Sequence, residues 1–296
     1  MKRLYWIFLL PFILSSCIQE VNIGEEFTSP KLVLYGRICP QLDTTFVKLS
    51  FSCQLLANSS DANGISIKNE KIEMSRDNRN WLRLDYDEET FRYFIAHDAM
   101  PIREGQTYYI RASADGFETV YAECTVPYKR DVGLSVRFDT AYIDYDWKTY
   151  TYEFSFQDFP NEDNYYALLQ RKGEYTYDYN EDGEGYWDTI FHEHFDFLYN
   201  YVDPEPVYSD KERDGSRIKM KVDFIAEGGY YYEGKEVKVY LAQIDEHEYK
   251  YEYSRSNQNE YIGFFMEPSS VYNNIKNGFG LFSAFTLEER VIYLGE

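Results

Sequence analysis

The feature that most constrains this chain is a series of short strand-like segments, separated by turn residues at intervals of about ten residues. The clearest segment is Thr149–Gln157, in which the aromatic residues at 150, 152, 154 and 156 share one face and polar residues take the other. Such alternation predicts an antiparallel strand with one buried face. Tyr and Phe together number 52, and aromatic rings favour pleated, half-buried surfaces. The sequence therefore predicts an all-β fold of the sandwich type.

Turn signals and composition predict two β-sandwich domains. The segment Gly105–Phe117 resembles a hairpin of transthyretin-like and carboxypeptidase regulatory-like immunoglobulin folds, which implies a non-catalytic first module over residues 30–128. A short charged run after Pro127 marks the boundary. The second domain, residues 129–296, is predicted to be β-rich with one helix near 245–256. Asp245 can cap that helix, and Glu248 at the third position completes a capping box.

The first seventeen residues have the pattern of a bacterial lipoprotein signal peptide. Lys2 and Arg3 precede an apolar run, Leu4–Leu14, that is too short to span a bilayer. A lipobox then ends at Cys17, whose thiol would be acylated. The alternative is an ordinary secretory signal with a coincidental cysteine. Residues 18–29 are polar and are predicted to form a tether, and Glu20 resembles the acidic export signal of Bacteroidota surface lipoproteins.

The charge of the chain excludes some partners. Removal of residues 1–17 deletes Lys2 and Arg3 and no acid, so the net charge changes from −21 to −23. Nucleic acid phosphates and anionic lipid headgroups would both be repelled. We therefore expect no nucleic acid partner, and we expect the lipid on Cys17 to provide the membrane attachment.

Three further cysteines, Cys39, Cys53 and Cys124, are an odd number for an oxidising compartment. Either one disulfide leaves a free thiol, or all three are small buried hydrophobic residues. All three fall in strand-like segments, which favours burial.

Two segments contain residues that resemble metal ligands. Asp178, Asn180 and Asp182, followed by Gly183, match the opening of a calcium loop, but the glutamate required at the twelfth position is missing. The alternative is a solvated acidic hairpin tip. His192 and His194 share one face of a predicted strand and are spaced to share a metal, although a third ligand is not evident. The alternative is a pair of exposed histidines.

Tyr230, Tyr231 and Tyr232 stand between glycines. They are interpreted either as an exposed aromatic platform for a peptide, glycan or protein, or as side chains that cover a hairpin turn. The sequence contains no nucleophile elbow, zinc-protease motif or phosphate loop.

Near the C-terminus, Gly278 and Gly280 alternate with Phe279 and Leu281, as in a strand that another backbone approaches closely. The surrounding phrase resembles the closing phrase of a Bacteroidota lipoprotein family, domain of unknown function 4249. The matching residues are Pro268, Val271, Asn274, Ile275, Gly278, Gly280 and Phe282. The resemblance implies a role beside a TonB-dependent outer-membrane receptor and assigns no catalytic residue.

Together these features predict a non-catalytic outer-membrane lipoprotein that faces the cell exterior. It would bind a ligand, or dock on a TonB-dependent transporter, and so assist nutrient uptake. The alternatives are a structural or adhesive surface subunit and a hydrolase with an unrecognised carboxylate site. No cofactor is predicted apart from the calcium ion considered above.

Overall fold

A computed structural model of the chain describes residues 29–52, 69–144, 147–179, 185–198, 207–211, 213–226, 236–259 and 270–293. These residues form sixteen strands and one helix, so the predicted all-β class is confirmed. The strands are β1 (Leu32–Ile38), β2 (Thr44–Phe51), β3 (Lys71–Ser75), β4 (Leu82–Arg83), β5 (Asp85–Asp87), β6 (Arg92–Ala96), β7 (Thr107–Ser113), β8 (Val120–Thr125), β9 (Ser135–Asp144), β10 (Trp147–Gln157), β11 (Tyr165–Tyr179), β12 (Gly185–Phe197), β13 (Val207–Ser209), β14 (Arg217–Ala226), β15 (Glu236–Ile244) and β16 (Phe279–Tyr293). The helix is α1 (Glu246–Asn259), and no helix in these ranges is long and apolar enough to cross a membrane.

One nine-stranded sheet runs through both halves of the described chain. Its order is β12-β11-β15-β16-β1-β2-β6-β5, with β13 beside β11. The joining element is β16, whose residues 279–284 pair in parallel with β1 and whose residues 285–293 pair antiparallel with β15. The last strand therefore connects the beginning of the fold to its end.

Two smaller sheets pack on one face of this large sheet. The sheet β4-β3-β7-β8 encloses the first hydrophobic core, and the sheet β14-β10-β9 encloses the second. Phe282 and Ala284 of β16 lie in the first core together with Ile275, whereas Ile292 lies in the second. A division of the chain after residue 128 thus assigns to the second domain a segment that packs in the first core.

Helix α1 covers the opposite face of the large sheet. Because side chains alternate along a strand, odd-numbered residues of β16 face the helix, and Phe285 and Leu287 form a third core with Ile244 and Tyr249. Residues 281–288 of β16 are buried without interruption, as expected for a strand covered on both faces. This helix-covered face carries the candidate site described below.

Strand β10 confirms the predicted alternation in part. Its aromatic residues at 150, 152, 154 and 156 are buried, as expected. The opposite, polar face is also largely buried, because β10 is the central strand of its sheet and long side chains from both neighbours lie over it. Arg137 pairs with Glu153, and Arg217 donates to Ser155 Oγ at 2.9 Å.

The helix begins one residue after its predicted start. Asp245 is the N-cap, since its Oδ1 accepts from the backbone N–H of Glu248 at 2.8 Å. The predicted capping box is incomplete. The Asp245 N–H donates to the Ala284 carbonyl at 3.0 Å, and the Glu248 side chain turns toward the sheet. These contacts with the sheet replace the predicted local bond between the Glu248 side chain and the Asp245 N–H.

Cys39 and Cys124 are free, buried thiols in different cores, whereas Cys53 lies outside the described residues. Burial raises the pKa of Cys39 to about 12 and raises that of Cys124 well above its usual range. Because the thiolate is the reactive form, both thiols should be inert in the folded protein.

We therefore expect that a Cys53→Ser variant of the mature, Cys17-acylated protein shows no rapidly reacting thiol with Ellman's reagent at pH 8. Two thiols should react at once in denaturant. A thiol that reacts within seconds under native conditions would show that one of these cores is open to solvent.

Candidate functional site

Most residues singled out by the sequence lie beyond the described part of the chain. Cys17, Asn180, Asp182, Tyr230, Tyr231 and Tyr232 are all outside it. Asp178 lies near the end of β11, with Tyr186 opposite in the β12 register. His192 and His194 lie in β12, and a shared metal ion there stays a prediction. The calcium loop and the tyrosine platform likewise stay predictions.

The described residues instead form a pocket of about 190 Å³ on the helix-covered face of the large sheet. We call it the helix-side pocket. Its lining comes from seven consecutive strands of the sheet, from β12 to β6, together with α1 and the loop between β1 and β2. The lining residues are Tyr35, Arg37, Leu42, Thr44, Phe46, Lys48, Arg92, Leu169, Phe197, Ile244, Glu248 and Phe285. A concave apolar pocket with a few polar groups is the usual form of a small-molecule site.

Strand alternation explains how β1 and β2 contribute to the pocket. In β1, Leu34 points into the first core while Tyr35 and Arg37 point to the helix-covered face. In β2, Thr44, Phe46 and Lys48 take the same face, and Lys48 stands directly opposite Tyr35 in the register. The two strands therefore place aromatic and cationic side chains side by side.

Cations stack on the aromatic walls. The Arg37 guanidinium carbon lies 5.0 Å from the ring centroid of Tyr35 and 5.3 Å from that of Phe197. The Arg92 guanidinium carbon lies 4.2 Å from the ring centroid of Phe46. These distances are within the range of cation–π attraction, which holds both guanidinium groups at the pocket wall.

Arg37 is also the centre of an ion network under helix α1. Its Nε donates to Glu248 Oε2 at 3.1 Å, and its Nη2 donates to Glu252 Oε1 at 2.8 Å. Nη2 also lies 2.6 Å from Glu248 Oε1, off the hydrogen-bond direction, so that oxygen is in ion contact only. Ser283 Oγ donates to Glu248, and Arg255 donates to Glu252. Two carboxylates are thus balanced by two guanidinium groups.

Burial affects the titration of this network. It raises the pKa of Glu252, an effect that the positive charge of Arg37 opposes. Burial likewise raises the pKa of Tyr35, so its hydroxyl stays protonated. The positive charge of Arg37 therefore favours the charged form of the Glu252 carboxylate.

Lys48 is the cation of the pocket that remains uncompensated. It is exposed, and within the described ranges no carboxylate lies within ion-pair distance of it. The lining holds three cations and a single carboxylate, on a chain whose net charge is −21. The pocket is therefore a local positive site on a strongly acidic protein.

A separate acidic cluster lies at the turn after β10. Carboxylate oxygens of Asp158, Asp210 and Asp214 lie within 4.8 Å of one another, and the first two residues are buried. Such oxygens are the ligands that a hard cation such as Ca²⁺ takes. Asp158 already accepts from the Tyr166 hydroxyl at 2.7 Å and from the Gly215 N–H at 2.8 Å. Burial and then the charge of Asp158 raise the pKa of Asp210, although hydrogen bonds from Asn164 oppose them. The hydrogen bonds show that these carboxylates fix the turn.

The hairpin of β11 and β12 extends past the large sheet. Strand β15 pairs with β11 only at residues 166–170, whereas β12 pairs with β11 as far as Tyr179. We call residues 173–179 and 185–191 the arm. Among the described strands, β12 pairs with β11 alone, so its outer edge presents unpaired backbone groups.

Comparison with known proteins places the chain in a family. The sequence profile of the family described as Domain of unknown function (DUF4249) matches residues 18–290. The chain belongs to the DUF4249 family. No curated protein matches it. Among solved structures, an alpha-2-macroglobulin variant from Salmonella is 10% identical with a TM-score of 0.27. That match covers 90% of this chain and 15% of the Salmonella chain, and we base no argument on it.

The sequence alone did not predict the pocket of this DUF4249 protein. In the sequence, Arg37 and Lys48 were assigned only to predicted strands, and Glu248 was assigned to a capping box. The available signal was the mixture of aromatic and cationic residues on one face of two adjacent strands, Tyr35 and Arg37 followed by Phe46 and Lys48. Strand faces that meet solvent usually carry polar residues, so rings alternating with cations indicate a contact surface.

Proposed function

We propose that this DUF4249 protein is a non-catalytic, lipid-anchored surface lipoprotein of the outer membrane. It binds a small ligand in the helix-side pocket and assists its uptake by docking on a TonB-dependent transporter. The observation that carries the proposal is the pocket itself, an apolar and aromatic cavity with cations held at its wall.

Two further features support the proposal. The lipobox that ends at Cys17 provides membrane attachment through acyl chains, and the acidic chain would not bind nucleic acid. The arm provides a strand edge that no other described strand covers, and such an edge is a common surface for backbone pairing with another protein. Ligand capture and transporter docking would then use different parts of the molecule.

A pull-down from native outer membranes tests the docking. The Cys17-anchored protein, tagged at its C-terminus, is extracted in mild detergent and its partners are identified by mass spectrometry. We expect a β-barrel TonB-dependent receptor in stoichiometric amount. A lone protein contradicts transporter docking, and a ladder of the chain itself favours the structural or adhesive alternative.

A shortened hairpin is the matched variant for this experiment. Gly173 and Phe191 face each other in the register, so an Asn-Gly turn can replace residues 174–190 and close the hairpin there. We expect this variant to fold, to reach the membrane and to lose the receptor. If the receptor still co-purifies with it, the arm is not the docking element.

A further inference from the structure

The helix-side pocket is polarised along its length. Leu169, Ile244 and Phe285 stand on β11, β15 and β16, whereas Lys48 and Arg92 stand on β2 and β6. These strands are neighbours in the order given above, so the pocket crosses the sheet from an apolar end to a cationic end. Adjacent strands lie about 4.8 Å apart, so β16 at the apolar end and β2 at the cationic end are separated by two spacings, about 10 Å.

The apolar end and the walls suit a flat, apolar group. Aromatic rings of Tyr35, Phe46, Phe197 and Phe285 surround the cavity. A cavity of about 150 Å³ is known to hold one benzene ring, and this one measures about 190 Å³. Its size therefore matches a single ring with a short substituent.

The cationic end suits an anion at Lys48. Glu248 does not change that preference, because its Oε2 already accepts from Arg37 and its Oε1 is in ion contact with the same guanidinium. Lys48 has no carboxylate partner in the described part of the protein and lies directly opposite Tyr35 across β1 and β2. A ligand carboxylate beside Lys48 would form a charge-assisted bond while its ring stays on the aromatic wall.

From this polarity we infer that the helix-side pocket binds a small aromatic carboxylate, with the ring on the aromatic wall and the carboxylate beside Lys48. The inference rests on the proposed function and specifies the ligand class of the same site. A free aromatic acid and the C-terminal aromatic residue of a peptide present this same chemistry.

Calorimetric titration with a matched pair of probes tests the inference. The probes are 3-phenylpropionate and its neutral amide, which share the ring and differ in charge. Because an ion pair with an exposed lysine contributes up to about 1 kcal/mol, we expect the carboxylate to bind about fivefold more tightly. Equal affinity for the two probes, or binding of neither, overturns the inference.

Lys48→Gln is the decisive variant, because Lys48 is exposed and its loss should leave the fold intact. It should bring the two probes to equal affinity, while Lys276→Gln, an exposed lysine away from the pocket, should keep the full difference. An unchanged preference in Lys48→Gln overturns the assignment of Lys48.

Two further measurements separate the possible outcomes. Competition with the peptide Gly-Gly-Phe distinguishes the two sources of the aromatic carboxylate. If the peptide displaces the acid, the pocket accepts the C-terminal end of a peptide. If it does not, the ligand is a free acid. The receptor pull-down is carried out with the same wild-type protein that is titrated. Failure of probe binding with the receptor present would discard the ligand class and leave transporter docking in place, whereas failure of both would discard both.

Discussion

Replacement of Gly280 by alanine is expected to destabilise the protein by roughly 3–5 kcal/mol. A Cβ on Gly280 would lie 1.9 Å from the Leu34 carbonyl oxygen and 2.8 Å from its carbon. Those atoms belong to the backbone of β1, which pairs with β16 in the same register, so they cannot rotate away. Gly280 also has φ of +117°, which an alanine adopts only with strain. Overpacking of about 1–3 kcal/mol and strain of about 1–3 kcal/mol combine in this estimate.

Gly116→Ala is the matched control for that substitution. Gly116 also has positive φ, at +84°, but nothing lies within 4 Å of an added Cβ. The substitution Gly116→Ala should therefore lower the free energy of unfolding only by the backbone strain, about 1–2 kcal/mol. Urea unfolding followed by tryptophan fluorescence measures both variants. Equal losses would show that the approach of β16 to β1 does not limit the stability of the fold.

Replacement of Arg37 by alanine should have the second largest effect, a loss of about 3 kcal/mol at pH 8. Glu248 and Glu252 side chains are only 2% exposed, and without Arg37 their remaining ion and hydrogen-bond partners among the described residues are Arg255 and Ser283. Removing one partner of a buried ion pair leaves an uncompensated charge, which costs about 3–5 kcal/mol. The lower figure applies because a quarter of the Arg37 side chain is exposed.

The loss in Arg37→Ala should shrink as the pH falls. Burial raises the pKa of Glu252, and the variant lacks the cation that opposes this rise. A carboxyl whose folded-state pKa is raised contributes stability below its unfolded pKa of about 4.3 and loses it as the pH rises through the folded value. The variant should therefore be closer to the wild type in stability at pH 5 than at pH 8.

Lys250→Ala provides the comparison on the same helix. It breaks the pair with Glu246, whose partners are 42% and 51% exposed, and should change stability by less than about 0.5 kcal/mol at either pH. Urea unfolding at pH 5 and pH 8 measures all three proteins. A deficit in Arg37→Ala that is as small as that of Lys250→Ala, or that does not vary with pH, would contradict the buried network.

Local patterns predicted the elements of this fold well. Alternation in Thr149–Gln157 identified β10 and its buried aromatic face, and Asp245 was recognised as a helix cap. The two glycines near the C-terminus were recognised as a place of close backbone approach, and both would place a Cβ within 2.5 Å of a β1 carbonyl oxygen. Each of these features depends on residues that are near one another in the sequence.

The candidate site was not predictable in the same way. Arg37 and Glu248 are 211 positions apart in the sequence. Asp158 and Asp210 follow different strands, and only the folded chain brings their carboxylates together. The capping box shows the limit most directly. Glu248 has the spacing for a local bond to Asp245, but the partly buried Arg37 guanidinium provides a stronger partner. A charged side chain takes the contact that satisfies it best after burial.

By itself, therefore, the sequence determined the all-β class, the buried and open faces of individual strands and membership of the DUF4249 family. Only the tertiary structure decided that β16 joins β1 to β15 in one nine-stranded sheet with helix α1 on its far face. The physical reason is the separation along the sequence of the residues that determine each feature. Side-chain periodicity reports which face of a strand is buried, whereas parallel pairing of the first and last strands depends on packing between residues more than 200 positions apart.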